Sequence, residues 1–177
     1  MSPGTYALVA LVLVLLGVYV SWTAGRLDRL HARVDAAWAA LDAALVRRAA
    51  AARALVLHLP PRAPQTLALE RAAAAALVGG PVRREEVEND LTLALRAALP
   101  LLPEQGSEQV RAELEEAATR VGLARSFHNS AVANARVLRD KRMPRALRLA
   151  GHRVLPQHFD IDDAALVTAA GQQRRAG

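Results

Sequence analysis

The sequence predicts an all-α protein in which an N-terminal transmembrane helix continues into an antiparallel three- to four-helix bundle of long helices. Three observations support this class: an uncharged run at the N-terminus, apolar residues at helical spacing after it, and no stretch that alternates with a strand's period of two. The predicted organisation is an anchor over residues 1–25, a helical-bundle domain over 26–163 and a flexible tail over 164–177.

Residues 3–25 contain no charged side chain. A helix needs about 20 apolar residues to cross the ~30 Å hydrocarbon core, and this run supplies them. The alternative is a cleavable secretory signal, which would carry basic residues before the run and small residues at a cleavage site. No Lys or Arg precedes the run. We therefore interpret it as an anchor, and the lipid bilayer as the partner of residues 3–25.

Arginines follow the anchor at once, at Arg26, Arg29 and Arg33. Because basic residues flank membrane spans on the cytoplasmic side, the asymmetry predicts a single-pass protein with a short N-terminus outside and the C-terminal domain in the cytoplasm. Tyr6 and Trp22 lie at the two ends of the span, where aromatic rings favour the headgroup level. These five residues form the predicted membrane interface.

In the soluble part, the sequence predicts a first helix over residues 26–59, a second over 64–78 with 81–102, a third over 107–142 and a short fourth over 144–150. Prolines 60 and 61 end the first helix, the segment 79–81 interrupts the second, and Ser107 is a candidate N-cap of the third, which covers 107–142. The first helix carries the apolar repeat Leu27, Leu30, Val34, Ala37, Leu41, Leu45, Ala52, Leu55 and Leu59, interrupted only by Arg48. The third carries Val110, Leu114, Ala117, Val121, Ala124, His128, Ala131, Ala135 and Leu138. Long amphipathic helices with short connections bury such stripes against each other, which favours a bundle.

Charge is segregated along the chain. Residues 85–116 hold nine acids against two arginines, whereas 136–153 form a basic cluster. The cluster consists of Arg136, Arg139, Lys141, Arg142, Arg145, Arg148 and Arg153. It is typical of a solvated helix end and also suits an acidic protein partner. Nucleic acid is disfavoured, because the soluble part has only three Trp or Phe side chains for stacking on bases.

Catalytic signatures are absent from the sequence. There is no cysteine, which excludes thiolate nucleophiles and cysteine-ligated zinc. Near the C-terminus, His152, His158, Asp160, Asp162 and Asp163 have the ligand chemistry of a divalent cation site, but their spacing matches no signature. We expect instead that Phe159 and Ile161 pack against the bundle while the neighbouring acids face water. The sequence therefore predicts no enzyme, no cofactor and no metal site.

A buried polar group is predicted on the third helix. Arg125 and Asn129 are four residues apart, and His128 lies on the apolar seam beside them. Two interpretations stay open: a site that reads a partner or sets helix register, and an ordinary interhelical hydrogen bond.

Several segments resemble the LemA family of bacterial membrane-anchored helical proteins. They are residues 113–132, Met143-Pro144, residues 159–162, residues 90–96, and Trp38 with Leu41, Leu45 and the Arg47-Arg48 pair. The family's Tyr-Asn signature would place aromatics at His128 and Ala135 and a second Asn at Arg136, so the chain departs from it there. The resemblance implies a bacterial plasma-membrane protein with one N-terminal anchor, a cytoplasmic coiled-coil-like bundle and no established enzymatic activity.

The function expected from these features is that of a non-enzymatic scaffold or adaptor, which presents its bundle on the cytoplasmic face to a protein partner of unknown identity. One alternative is a membrane-organising protein whose basic tip, residues 136–153, contacts an anionic membrane surface. A second alternative is an enzyme or metal-binding protein. The sequence is also compatible with homo-oligomerisation.

Overall fold

The structure is a computed structural model that describes residues 2–139 and 157–162. Four α-helices form it: α1 (Pro3–Val56), α2 (Pro64–Val78), α3 (Arg84–Ala98) and α4 (Glu108–Arg139). Single 3₁₀ turns lie at Pro81–Arg83 and Leu99–Leu101. No strand occurs among the described residues, so the all-helical class is confirmed. The predicted short helix over 144–150 and the tail over 164–177 lie outside the described part of the chain.

Helix α1 runs without a break from Pro3 to Val56, as expected for an anchor that continues into a soluble helix. It ends three residues before the predicted boundary at residue 59. There the backbone N–H of Leu59 donates to the Val56 carbonyl at 3.2 Å, which tightens the chain into a turn ahead of Pro60 and Pro61.

The predicted interruption at residues 79–81 is confirmed, since α2 ends at Val78 and α3 begins at Arg84. The segment predicted as one helix over 81–102 has three parts. Prolines 81 and 100 stand in the two 3₁₀ turns that flank α3. Proline has no backbone N–H to donate, which favours such positions at helix ends.

Ser107 does not use its hydroxyl as the predicted N-cap of the last helix. The hydroxyl donates to the Pro103 carbonyl instead, while the Ser107 carbonyl accepts from the backbone N–H of Arg111 at 3.0 Å. Gly106, with φ of +79°, turns the chain into α4 in a conformation that glycine adopts without strain. Helix α4 begins at Glu108 and is described to Arg139, against a predicted range of 107–142.

The chain divides into two compact units. Of the described residues, the N-terminal unit comprises 2–37, 129–139 and 157–158, and the core unit comprises 38–128 and 159–162. In the N-terminal unit, Val34 packs with Ala131, Val132 and Ala135. In the core unit, all four helices contribute to one apolar cluster, built from Ala49, Ala52, Leu55, Leu59, Leu69, Ala73, Ala76, Leu91, Leu95, Ala98, Leu102, Val110, Leu114 and Ala118. Most described residues of the apolar seams predicted for the first and third helices are therefore buried, and Leu30, Ala37 and Ala124 are half-buried.

The apolar run of α1 presents its large side chains outward over residues 6–22. This helix is the one among the described residues that is long and apolar enough to cross a membrane. Thr23 satisfies its hydroxyl inside the helix, by donating to the Tyr19 carbonyl at 2.8 Å. A helix that is apolar on all sides and exposed along its length is stable in lipid rather than in water.

Candidate functional site

Residues 159–162, which we call the strap, lie on the core unit without regular secondary structure. Phe159 and Ile161 are only 3% and 4% exposed, whereas the side chains of Asp160 and Asp162 are 94% and 63% exposed. Side chains that alternate between two sides indicate an extended chain. The expectation that the two apolar residues pack while the acids face solvent is confirmed.

Helices α1 and α4 provide the apolar floor beneath the strap. Phe159 and Ile161 form one buried cluster with Leu41, Ala44, Leu45 and Val121, and Trp38 and Ala124 pack against its margin. The Trp38 ring meets Phe159 edge-to-face at 5.7 Å between centroids and meets His128 likewise at 5.4 Å. Edge-to-face pairs add about 0.5–1.5 kcal/mol beyond the burial of area.

Helix α3 binds the backbone of the strap. The Asp160 N–H donates to Glu85 Oε1 at 2.9 Å, and the Asp162 N–H donates to Asn89 Oδ1 at 3.0 Å. Glu85 and Asn89 are one helical turn apart, so they are separated by about 6 Å along the axis. Two residues of extended chain span about 6.6 Å. The spacing of the acceptors thus matches the spacing of alternate N–H groups in an extended segment.

Two arginines bind the acidic side chains of the strap. Arg96 on α3 donates to Asp162 Oδ2 at 2.8 Å, and Arg125 on α4 lies 3.5 Å from Asp160 Oδ1. Both ion pairs are at the surface, where such pairs contribute about 0–1 kcal/mol. Because the two ion pairs stabilise the fold so little, their main effect is a preference for acidic residues at alternate positions of the bound chain.

We call this surface the strap groove: the apolar floor, the acceptors Glu85 and Asn89, and the cations Arg96 and Arg125. It binds apolar side chains, backbone N–H groups and carboxylates, each at a two-residue repeat. A surface with these three features can bind an extended peptide.

A second polar feature of the core unit is a buried charge network between α1 and α3. Arg48 and Glu88 are both fully buried, and Arg48 Nη2 donates to Glu88 Oε2 at 2.6 Å and to the Glu88 carbonyl at 3.2 Å. Within the described part of the chain, Nε and Nη1 of Arg48 have no hydrogen-bond acceptor. The charge is thus paired on one side of the guanidinium only.

Arg84, also buried, extends the network. Its Nε lies 3.4 Å from Glu88 Oε1, and its Nη2 lies 3.2 Å from Oδ1 of Asp42 on α1. Nη1 donates to the carbonyls of Ala76 and Gly79 at 2.9 and 3.1 Å. A cation at the carbonyl end of α2 complements the helix dipole. Arg84 therefore joins α1, α2 and α3.

Burial raises the pKa of the Glu88 carboxyl above its ordinary value of 4.5, against the smaller opposing effects of Arg48 and Arg84. The native state then binds this proton more tightly than the unfolded state does. The resulting contribution to the free energy of unfolding is fully present below about pH 4.5 and is lost as the pH rises through the folded-state pKa.

We therefore expect wild type to lose stability relative to Glu88→Gln, which stays uncharged, as the pH rises above about 4.5 and through the raised folded-state pKa of Glu88. The measurement is the free energy of unfolding of both proteins by guanidinium titration in detergent, followed by circular dichroism. A difference that moves in favour of wild type with rising pH would show that the two arginines outweigh burial.

The residues predicted on the third helix divide between the two units. Arg125 and His128 lie in the core unit, at the edge of the strap groove and against Trp38, and His128 is buried. Asn129 and Arg136 lie in the N-terminal unit, and both are half-buried. Of the other predicted basic sites, Arg139 is the last described residue of α4, while Lys141, Arg142 and Arg145 lie outside the described residues.

The predicted membrane-interface residues lie exposed on α1. Trp22 and Tyr6 are both more than half exposed, and the Arg26 guanidinium stacks over the Trp22 ring at 5.8 Å from its centroid. Arg29 and Arg33 extend the basic side of the run.

Sequence reasoning missed Glu85, Asn89 and Arg96 as strap-binding residues, and Arg48, Arg84 and Glu88 as a network. The network had a signal, because Arg48 interrupts an apolar seam and Arg84 and Glu88 lie one turn apart. Among the described residues, no group of three or more His, Asp or Glu is arranged to bind a metal ion. Asp160 and Asp162 instead pair with arginines, and His152 and Asp163 lie outside the described residues.

Comparisons of the chain with protein-family models, with curated proteins and with solved structures give no match.

Proposed function

We propose that this protein is a membrane-anchored, non-enzymatic scaffold or adaptor of the type that its resemblance to the LemA family implies. It lies in a bacterial plasma membrane with a short N-terminus outside, and its antiparallel helical bundle meets a protein partner on the cytoplasmic face. The arginines at 26, 29 and 33 support that orientation.

The observation that carries the proposal is the strap groove. Three helices supply its parts, and each part recognises a general property of an extended chain rather than a reacting group. The side-chain acceptors for main-chain N–H groups give such a surface affinity, and the pockets for side chains give it specificity. A membrane anchor on the same chain would restrict the partners of this surface to proteins at the membrane.

Proximity labelling in cells tests the proposal. With a biotin ligase at the C-terminus, we expect wild type to label cytoplasmic and membrane neighbours, and we expect Arg125→Ala to lose some of them. Arg120→Ala is the matched control, because Arg120 is on the same helix and pairs with Glu116 at the surface, outside the groove. Extracytoplasmic neighbours would overturn the orientation, and an identical set from all three proteins would overturn the adaptor function.

A further inference from the structure

We propose that the strap groove binds, in trans, an extended segment of a partner protein with alternating apolar and acidic residues, and that the chain's own strap competes with it. The proposal rests on the adaptor function above and names the class of partner.

The chemistry of the ligand follows from the groove's present occupant. The floor accepts an aromatic and an aliphatic side chain two residues apart, at Phe159 and Ile161. Arg125 donates to the carboxylate that follows the aromatic residue, and Arg96 donates to the carboxylate that follows the aliphatic residue. The groove therefore selects the order aromatic, acidic, aliphatic, acidic.

Accessibility of the recognition groups supports binding in trans. Glu85 is exposed and Asn89 half-buried on α3, so an incoming chain can reach these acceptors without a rearrangement of the helix. The carboxylate of Asp160 is almost fully in water. A strap that served packing alone would need its two apolar residues and no acids, because exposed ion pairs stabilise a fold very little.

Attachment in cis makes the strap a competitor. A tethered segment acts at an effective concentration in the millimolar range, which a free partner segment must overcome. The groove would thus stay closed to weak ligands and open to a segment that binds better or is itself concentrated at the membrane.

Fluorescence anisotropy on the full chain in detergent tests this proposal. The probe is a fluorescein-labelled peptide with the sequence of residues 157–162, and the control is a scrambled peptide of the same composition. We expect saturable binding of the probe to Phe159→Ala/Ile161→Ala, with at least tenfold weaker binding to wild type because of the intact strap. Adding Arg96→Glu and Arg125→Glu to the first variant should abolish binding.

A second variant guards against a loss of fold. Asp160→Asn/Asp162→Asn keeps both apolar side chains and removes only the strap's carboxylates, so the probe should bind it up to about tenfold more tightly than wild type. The proposal would be overturned if the probe and the scrambled peptide bound equally well. It would also be overturned if the probe bound neither variant while the helix content of both stayed intact. The adaptor function would survive that result if groove-dependent neighbours were still labelled in cells, because the partner would then have a different chemistry.

Discussion

Arg48→Met is expected to lower the free energy of unfolding by about 3–5 kcal/mol, since it leaves the buried Glu88 carboxylate without its nearest cation. Among the described residues, Arg84, at 3.4 Å, is then the one cation left within 4 Å of the Glu88 carboxylate. Methionine fills most of the volume of arginine, so the loss reports on charge more than on packing. The measurement is guanidinium unfolding of the full chain in detergent, followed by circular dichroism, and the loss should be greatest at a pH above the folded-state pKa of Glu88, where its carboxyl is ionised.

Two further variants separate charge from shape. Arg48→Met/Glu88→Met removes both charges and should recover most of the loss, because a buried ion pair replaced by apolar residues of similar volume is often neutral or stabilising. Arg84 remains bound to Asp42 and to two carbonyls in that variant. Arg120→Met breaks an exposed pair of the same 2.6 Å length and should change the free energy by less than about 1 kcal/mol. A double variant as unstable as Arg48→Met would contradict this account.

The helices and their buried faces could be predicted because they depend on local pattern. The three-four repeat of α1 and the seam of α4 identify side chains that are buried in the structure, including His128. The packing of Phe159 and Ile161 could also be predicted, because they are the apolar side chains of an otherwise acidic stretch.

The partners of those faces could not be predicted, because they depend on contacts between residues distant in sequence. Arg48 is a charged residue on the apolar seam of α1, but its partner Glu88 is 40 residues away, and no local pattern in the sequence links the two. In the sequence, Glu85 and Asn89 are ordinary polar residues of α3. Their role as acceptors depends on the strap, whose N–H groups come more than 70 residues later in the chain. Only the tertiary structure brings together the halves of the groove.

The strap itself provides the second large effect. Phe159→Ala is expected to weaken its docking by about 3–5 kcal/mol, because truncation of a buried aromatic side chain removes apolar contact and leaves a cavity. The lost contacts include Leu41, Leu45 and the edge-to-face pair with Trp38. Since 1.4 kcal/mol corresponds to a factor of ten, the strap should open more than a hundredfold more often.

Hydrogen exchange locates this loss, because the amides of Asp160 and Asp162 are the groups that donate to α3. Their protection should fall by two orders of magnitude or more in Phe159→Ala, whereas amides of the core helices, which do not depend on the strap for their hydrogen bonds, should change far less. Asp160→Ala is the control, since it removes an exposed carboxylate and keeps the same backbone bond. Unchanged protection of the Asp162 amide in Phe159→Ala would mean that the acids and the backbone hold the strap, and not the aromatic side chain. The groove would then bind acidic chains regardless of their apolar residues.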